Sequence, residues 1–86
     1  MVSAHGISFM NKASRVLMLY IRLAAGEKVN KAAFCNEMQC QPRSFDRDIE
    51  DIRIFLSDTF ELAEIIYDWK ERAYYMCKIA PIRKVY

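Results

Sequence analysis

Three segments of the chain carry apolar residues at helical spacing, and one later segment alternates apolar and polar positions. The first helical segment covers residues 14–23, where Asn11 or Ser14 is suited to accept hydrogen bonds from the first free amides. Gly26 follows and can adopt the left-handed conformation that ends a helix. The pattern predicts a first helix with apolar positions at Val16, Leu17, Leu19, Tyr20 and Leu23.

A short second helix is predicted over residues 31–38. Asn30 is a good cap before it, and Val29 stands alone between polar neighbours, as a short extended residue or a single-bridge strand does. Tertiary packing must hold this helix, because isolated helices below about 12–15 residues are marginal in water. We expect Glu37 to point outward and the inward face to comprise Ala33, Phe34 and Met38.

The third helix is predicted from Pro42 to about Leu56, after a tight connection at residues 39–41. Proline at the first helical position loses no hydrogen bond, because that amide has no partner within a helix. The apolar spacing predicts an inward face of Phe45, Ile49, Ile52, Phe55 and Leu56. The opposite side carries Arg43, Ser44, Arg47, Asp51 and Arg53.

Residues 63–79 change to a two-residue period, rich in isoleucine and tyrosine on either side of a charged DWKER tip, which predicts an antiparallel hairpin. Three helices followed by a hairpin predict a mainly α fold with a small β-hairpin (α+β), a three-helix winged helix-turn-helix. We expect one domain over residues 1–86. Its parts are an N-terminal segment (1–11), three helices (12–56), the wing hairpin (63–79) and a basic tail (80–86).

Composition narrows the class of protein. Eighty-six residues allow one small domain, and 53% hydrophobic residues with two glycines and two prolines exclude disordered and collagen-like chains. No apolar run reaches the roughly 18–20 residues of a membrane span, and the N-terminus lacks the features of a secretory signal, so we expect a cytoplasmic protein. The net charge of +2 is uneven, because five of the 13 basic residues lie within residues 70–86. A basic end of this kind suits phosphate contact.

The chain contains few residues in patterns that are typical of catalysis or metal binding. The three cysteines, Cys35, Cys40 and Cys77, cannot all pair within the chain, and with His5 they do not match the ligand spacing of zinc sites. We interpret them as small buried or half-buried apolar side chains. No nucleophile, metalloprotease or nucleotide-binding motif occurs. We therefore expect no catalytic residues, no metal, no cofactor and no small-molecule site.

The start of the third helix is the first candidate site. Arg43, Ser44 and Arg47 share one exposed arc, where arginine can read a guanine edge and serine can bond base or phosphate. The two arginines lie four residues apart and repel each other modestly, which a bound polyanion would relieve. The alternative is a set of ordinary surface ion pairs, Arg43 with Asp46 and Arg47 with Asp51.

The hairpin tip is the second candidate site. Lys70 and Arg72 can grip a DNA backbone, where cations add affinity that depends on salt and not on sequence. For Trp69 we favour a position folded back onto the sheet. Single-stranded nucleic acid is an alternative partner through stacking tyrosines, although amphipathic packing explains those residues better; they are Tyr20, Tyr67, Tyr74, Tyr75 and Tyr86.

From about Ser14 to Met76 the chain resembles the N-terminal winged helix-turn-helix of the WYL-domain transcriptional regulators, which are sometimes grouped with DeoR-type repressors. The matching pieces are SRVLMLYIRLAAGEKVN, AAFCNEMQCQPRSFDRDIEDIRIFL and EIIYDWKERAYYM. The most specific piece is SFDRDIEDI, which is similar to the family's Thr-Ile-x-Arg-Asp-Ile-x-x-Leu pattern in the recognition helix. The wing differs at Ala73, where the family commonly has glycine, so its turn geometry is expected to differ.

The resemblance implies sequence-specific binding of double-stranded DNA, usually as a dimer, with Ser44 and Arg47 toward DNA and Asp48 orienting the helix or an arginine. We expect the family's C-terminal sensor domain, and with it ligand sensing, to be absent. A homodimer surface is expected on the N-terminal segment around Ile7, Phe9 and Met10. The alternative function is a winged-helix module that binds protein and makes no direct contact with DNA.

Overall fold

A computed structural model describes residues 11–59 and 63–78, and it confirms the predicted fold class. Three helices are followed by one antiparallel hairpin, a small winged-helix-like α+β fold. The elements are α1 (Lys12–Ala24), α2 (Lys31–Met38), α3 (Pro42–Asp58), β1 (Ala63–Asp68) and β2 (Ala73–Lys78). The expected dimer segment around Ile7, Phe9 and Met10, together with the tail at 80–86, lies outside the described residues.

Local capping chemistry sets the ends of α1. The Asn11 side chain accepts a hydrogen bond from the Ser14 amide at 2.9 Å, which selects Asn11 over Ser14 as the cap. After Ala24 the chain turns through Gly26, whose φ of 91° lies in the left-handed region. Both ends therefore follow the mechanism expected from the sequence.

The bounds predicted for α2 are confirmed, but its buried face is not the expected one. Asn30 caps the helix by accepting from the Ala33 amide at 2.8 Å. The prediction that Ala33 points inward is wrong, because Ala33 is exposed and Cys35 is buried beside Phe34 and Met38. Two helical turns present only a narrow face to the core, and Cys35 shares it with Phe34.

The core forms where α3 crosses the other elements, around Phe45 and Leu19, which are both fully buried. The prediction that Phe55 faces this core is wrong: it is 49% exposed and packs edge-on against Tyr20, with 5.8 Å between ring centroids. Helix α3 also continues two residues past Leu56 to Asp58. The remaining apolar core comprises Leu23, Val29, Phe34, Cys35, Met38, Ile49, Ile52, Leu56, Ile65 and Ala73.

The hairpin pairs Ala63 with Lys78 at its open end and Asp68 with Ala73 at its tip. Val29 adds the predicted single bridge, because its amide and carbonyl bond those of Tyr74 at 2.8 and 2.7 Å. This bridge fastens the α1–α2 connection to the edge of β2.

Two contacts fix the direction of the hairpin relative to α3. Near the tip, the Tyr74 ring lies 5.3 Å from the Phe45 ring in the first half of α3. Toward the open end, Arg53 in the second half of α3 donates to the Ile65 carbonyl at 3.1 Å. The hairpin tip and the N-terminus of α3 therefore lie at the same end of the molecule. None of the helices in the described ranges is long and apolar enough to cross a membrane.

Candidate nucleic-acid interface

The N-terminus of α3 has neither a capping side chain nor an acidic residue in its first turn. Pro42 occupies the first turn, Gln41 provides no side-chain cap, and the first turn contains no acidic residue. The amides of Ser44 and Phe45 both donate to the Gln41 carbonyl, at 2.9 and 3.1 Å. With no carboxylate to offset it, the partial positive charge of this helix end adds to that of nearby cations.

The three predicted residues of α3 lie together at this end. Arg43 and Arg47 are exposed and Ser44 is half-buried. They line a cleft of about 380 Å³ with Lys12 and Arg15 from the start of α1. Sequence reasoning missed Lys12 and Arg15, since nothing in their local pattern shows that α1 begins beside α3.

Asp48 explains how α1 is held there. It is fully buried, and its two carboxylate oxygens accept from Arg15 Nε at 2.6 Å and Nη2 at 3.1 Å. The hydrogen bonds with Asp48 raise the pKa of Arg15, so this guanidinium keeps its charge. The arginine that Asp48 orients is thus on α1, and the pair joins the two helices that form the cleft.

The ion pairs offered as the alternative role of the α3 arginines are wrong. Asp46 instead pairs with Lys31 at 2.9 Å, and Asp51 pairs with Lys12 at 2.8 Å. Both carboxylates therefore bind lysines from other helices and leave Arg43 and Arg47 exposed to solvent.

A survey of charges separates structural cations from exposed ones. Within residues 11–59 and 63–78, six cations have a carboxylate oxygen within 4.0 Å: Lys12, Arg15, Arg22, Lys28, Lys31 and Arg53. The cations of the same ranges without such a partner are Arg43, Arg47, Lys70, Arg72 and Lys78. Four of these five are the cations predicted as site residues.

The hairpin turn carries two of those cations and an exposed indole. Lys70 and Arg72 are exposed on the turn between β1 and β2. The prediction that Trp69 folds back onto the sheet is wrong, because its side chain is 74% exposed. The expected departure at Ala73 does not place strain there, since the left-handed residue of the turn is Arg72, with φ of 54°, and Ala73 is a buried strand residue.

The tyrosines, the potential metal ligands and the cysteines were the other candidate residues. Tyr74 contacts Phe45 and Tyr67, and Tyr20 contacts Phe55, so these rings are engaged within the fold. In the described part of the chain, no three His, Cys, Asp or Glu side chains gather where a metal ion could bind. Cys35 is buried and Cys40 half-buried, as expected, but the expectation is wrong for Cys77, which is exposed.

A second surface is apolar. On α1, Leu17 and Ile21 are 61% and 59% exposed. A groove of about 220 Å³ runs between this side of α1 and Phe55 of α3. Its walls are nearly all apolar, in contrast to the basic cleft.

Comparison of the chain with protein-family models, curated proteins and solved structures finds no match in any of the three.

Proposed function

We propose that this chain is a sequence-specific, double-stranded DNA-binding transcriptional regulator. Helix α3 would enter the major groove, with Arg43, Ser44 and Arg47 reading bases or fixing the register, and the hairpin turn would contact the backbone through Lys70 and Arg72. The observation that carries this proposal is the charge survey. Of the five cations in the described ranges without a carboxylate partner, four lie at the α3 N-terminus and the hairpin tip, where they are available for phosphate or base contact, and the fifth is Lys78 at the end of β2.

The test begins with selection of a preferred site from a random duplex library. Fluorescence anisotropy of labelled DNA then measures affinity for that site, for mixed-sequence duplex and for single strands at two salt concentrations. We expect duplex binding that weakens steeply with salt, because each neutralised phosphate releases counterions. Absence of duplex binding at low salt would overturn the proposal, and equal binding to single strands would favour the tyrosine-stacking alternative.

Matched arginine variants test the role of α3. Arg47→Ala should weaken binding to the selected site by about 1–3 kcal/mol while changing mixed-sequence binding less. Arg53→Ala is the control, because Arg53 is an exposed arginine of the same helix whose guanidinium is engaged with Glu50 and Ile65. Equal losses in the two variants would contradict insertion of the α3 N-terminus.

The hairpin cations should behave differently. Lys70→Ala is expected to weaken binding to all duplexes alike and to reduce the salt slope by about one. A loss confined to the selected sequence would show that this side chain reads bases and does not grip the backbone.

The apolar groove favours a second candidate function, a winged-helix module that binds another protein. Exposed Leu17 and Ile21 are large side chains of the kind enriched where a partner covers a surface. This alternative predicts no salt-dependent duplex binding, and the anisotropy measurement above separates it from the first proposal.

A further inference from the structure

Trp69 is the most exposed large apolar side chain of the described residues and the only tryptophan of the chain. Burying an aromatic side chain of this size contributes strongly to stability, so exposure at 74% gives up that gain. Nothing in the packing of the hairpin uses the indole. The exposed indole is therefore a candidate for contact with a binding partner.

The turn that carries Trp69 is held in one shape. Asp68 Oδ1 accepts from the amides of Lys70 at 3.0 Å and Glu71 at 3.3 Å. The Asn30 side chain donates to the Arg72 carbonyl at 2.8 Å and so fastens the turn to the start of α2. The indole thus projects from a pre-organised support, which lowers the entropy lost when a partner binds it.

The charges around the indole favour an anionic partner. Lys28 lies 3.4 Å from the Asp68 carboxylate and 3.6 Å from that of Glu71, so one lysine is shared by two carboxylates. Lys70 and Arg72 lie within the turn and have no carboxylate within 4.0 Å in the described ranges. Three cations against two carboxylates leave this end with a net positive charge, which favours the approach of a polyanion to Trp69.

The position of the turn fits the DNA geometry proposed above. Trp69 begins the turn two residues beyond Tyr67, whose strand partner Tyr74 contacts Phe45 in the first half of α3. Arg47 lies two residues after Phe45 and is exposed. Trp69 and Arg47 are therefore at the same end of the molecule, so a duplex that receives the start of α3 in its major groove passes close to the indole.

We propose that Trp69 is a DNA-contacting residue, which packs its indole into the minor groove next to the major groove occupied by α3. This inference rests on the proposed function. Apolar side chains inserted into a minor groove pack against its walls and between base steps. The indole also has an N–H that can donate to the acceptors on the groove floor. Lys70 and Arg72 would hold the flanking phosphates.

The single tryptophan provides its own spectroscopic test. Intrinsic emission and acrylamide quenching are measured on the full chain with and without the selected duplex, while anisotropy of the labelled DNA reports binding independently. We expect saturating duplex to shift the emission and to reduce the quenching constant several-fold. If anisotropy shows binding but emission and quenching stay unchanged, the role of Trp69 is overturned and the proposed function stands. If anisotropy shows no binding, the proposed function itself fails.

Three substitutions separate ring packing from charge. Trp69→Ala should weaken duplex binding on the order of tenfold, as removal of an aromatic contact with a nucleic acid does. Trp69→Phe should recover part of that loss. Trp69→Lys adds a cation to the tip, so it should tighten binding if the turn acts by charge alone and weaken binding if the ring is required. Equal or tighter binding by Trp69→Lys and Trp69→Ala would overturn the inference.

One control addresses a protein partner. Quenching of the free protein is measured over a range of its own concentration, and we expect the indole to stay accessible throughout. Protection that grows with protein concentration, without DNA, would show that Trp69 contacts a second copy of the chain and would overturn the DNA assignment.

Discussion

Asp48 shows how one buried carboxylate organises the contact between α1 and α3. Its burial would be unfavourable without a partner, and the two-point hydrogen bonding from Arg15 supplies one across the α1–α3 contact. The neighbouring pair of Lys12 with Asp51 reinforces the same contact but is exposed to solvent. The buried pair should therefore dominate the stability of this contact.

Replacing Asp48 with Asn should lower the free energy of unfolding by about 2–4 kcal/mol, because Arg15 then loses its ionic partner in a largely buried place. Urea denaturation followed by circular dichroism measures the change. Asp51→Asn is the matched control on the same helix and should cost less than about 1 kcal/mol, as exposed ion pairs do. Similar losses for both variants would contradict this view of the contact.

Burial of Cys35 predicts a pH dependence of stability. Desolvation raises the pKa of Cys35 from 9.0 to about 11, because the thiolate is disfavoured there. The folded protein thus holds this proton more tightly than the unfolded chain. The resulting stabilisation is fully present below about pH 9 and is lost as pH rises toward about 11.

The stability difference between the wild type and Cys35→Ala should accordingly shrink over that pH range, as measured by urea denaturation at several pH values. A constant difference would refute the assignment. Labelling with a thiol reagent near neutral pH checks the exposure independently, since exposed Cys77 should react first and Cys35 last.

At the scale of elements, the connection between α2 and α3 depends on a single strained residue. Gln39 ends α2 with φ of 58° and ψ of 46°, in the left-handed region that most side chains avoid. This conformation reverses the chain within a few residues and places Pro42 at the start of α3. The tight turn of the helix-turn-helix thus carries a conformational cost.

Gln39→Gly should stabilise the protein by up to about 1 kcal/mol, because glycine adopts this conformation without a steric penalty. Gln39→Val should destabilise it by about 1–2 kcal/mol, since a β-branched residue tolerates the region poorly. Both variants lose the bond from the Gln39 side-chain amide to the Asn36 carbonyl, so the difference in stability between the two variants reports the backbone conformation alone. Equal stabilities of the two variants in urea denaturation would contradict the strain.

Local signals predicted the helix starts and the hairpin well. As helix starts, Asn30 caps the Ala33 amide three residues on and Pro42 takes a position whose amide needs no partner, so residue types suffice to predict these two starts. The same holds for alternation on either side of the DWKER tip. These features depend on a few consecutive residues, which a sequence pattern records directly.

Contacts between distant segments were not predictable in this way. Lys31 binds Asp46 and Lys12 binds Asp51 because the fold brings different helices together. These pairs between helices form in place of the pairs that were expected within α3. The prediction for Trp69 was wrong for a related reason, because an amphipathic pattern cannot distinguish a ring that packs on its own sheet from one that projects from a turn. The DNA-binding role of Arg43 and Arg47 remains a proposal for experiment.

At the scale of the whole molecule, the basic end and the apolar side of α1 are separate surfaces. One winged-helix module offers DNA only about 600–1,000 Å², so selective binding favours two copies. A stripe along one side of α1 consists of exposed Ala13, Leu17 and Ile21 and half-buried Ala24, and its small end residues allow close approach of an identical helix. We propose this stripe as the homodimer surface.

Ile21→Asn should lower the sedimentation coefficient of any dimer at high micromolar concentration toward the monomer value. Ile54→Asn is the control, since Ile54 is 52% exposed on α3 and lies outside the stripe. A wild-type protein that sediments as a monomer at that concentration would refute the proposed surface.

Asn30 uses both ends of one amide group. Its oxygen caps α2, and its nitrogen donates to the Arg72 carbonyl of the hairpin turn. Deamidation during storage would leave an oxygen to cap the helix but would set a carboxylate against that carbonyl. Aged protein would then keep its helical content while the hairpin turn lost its anchor to α2, a change that far-ultraviolet spectroscopy would not detect.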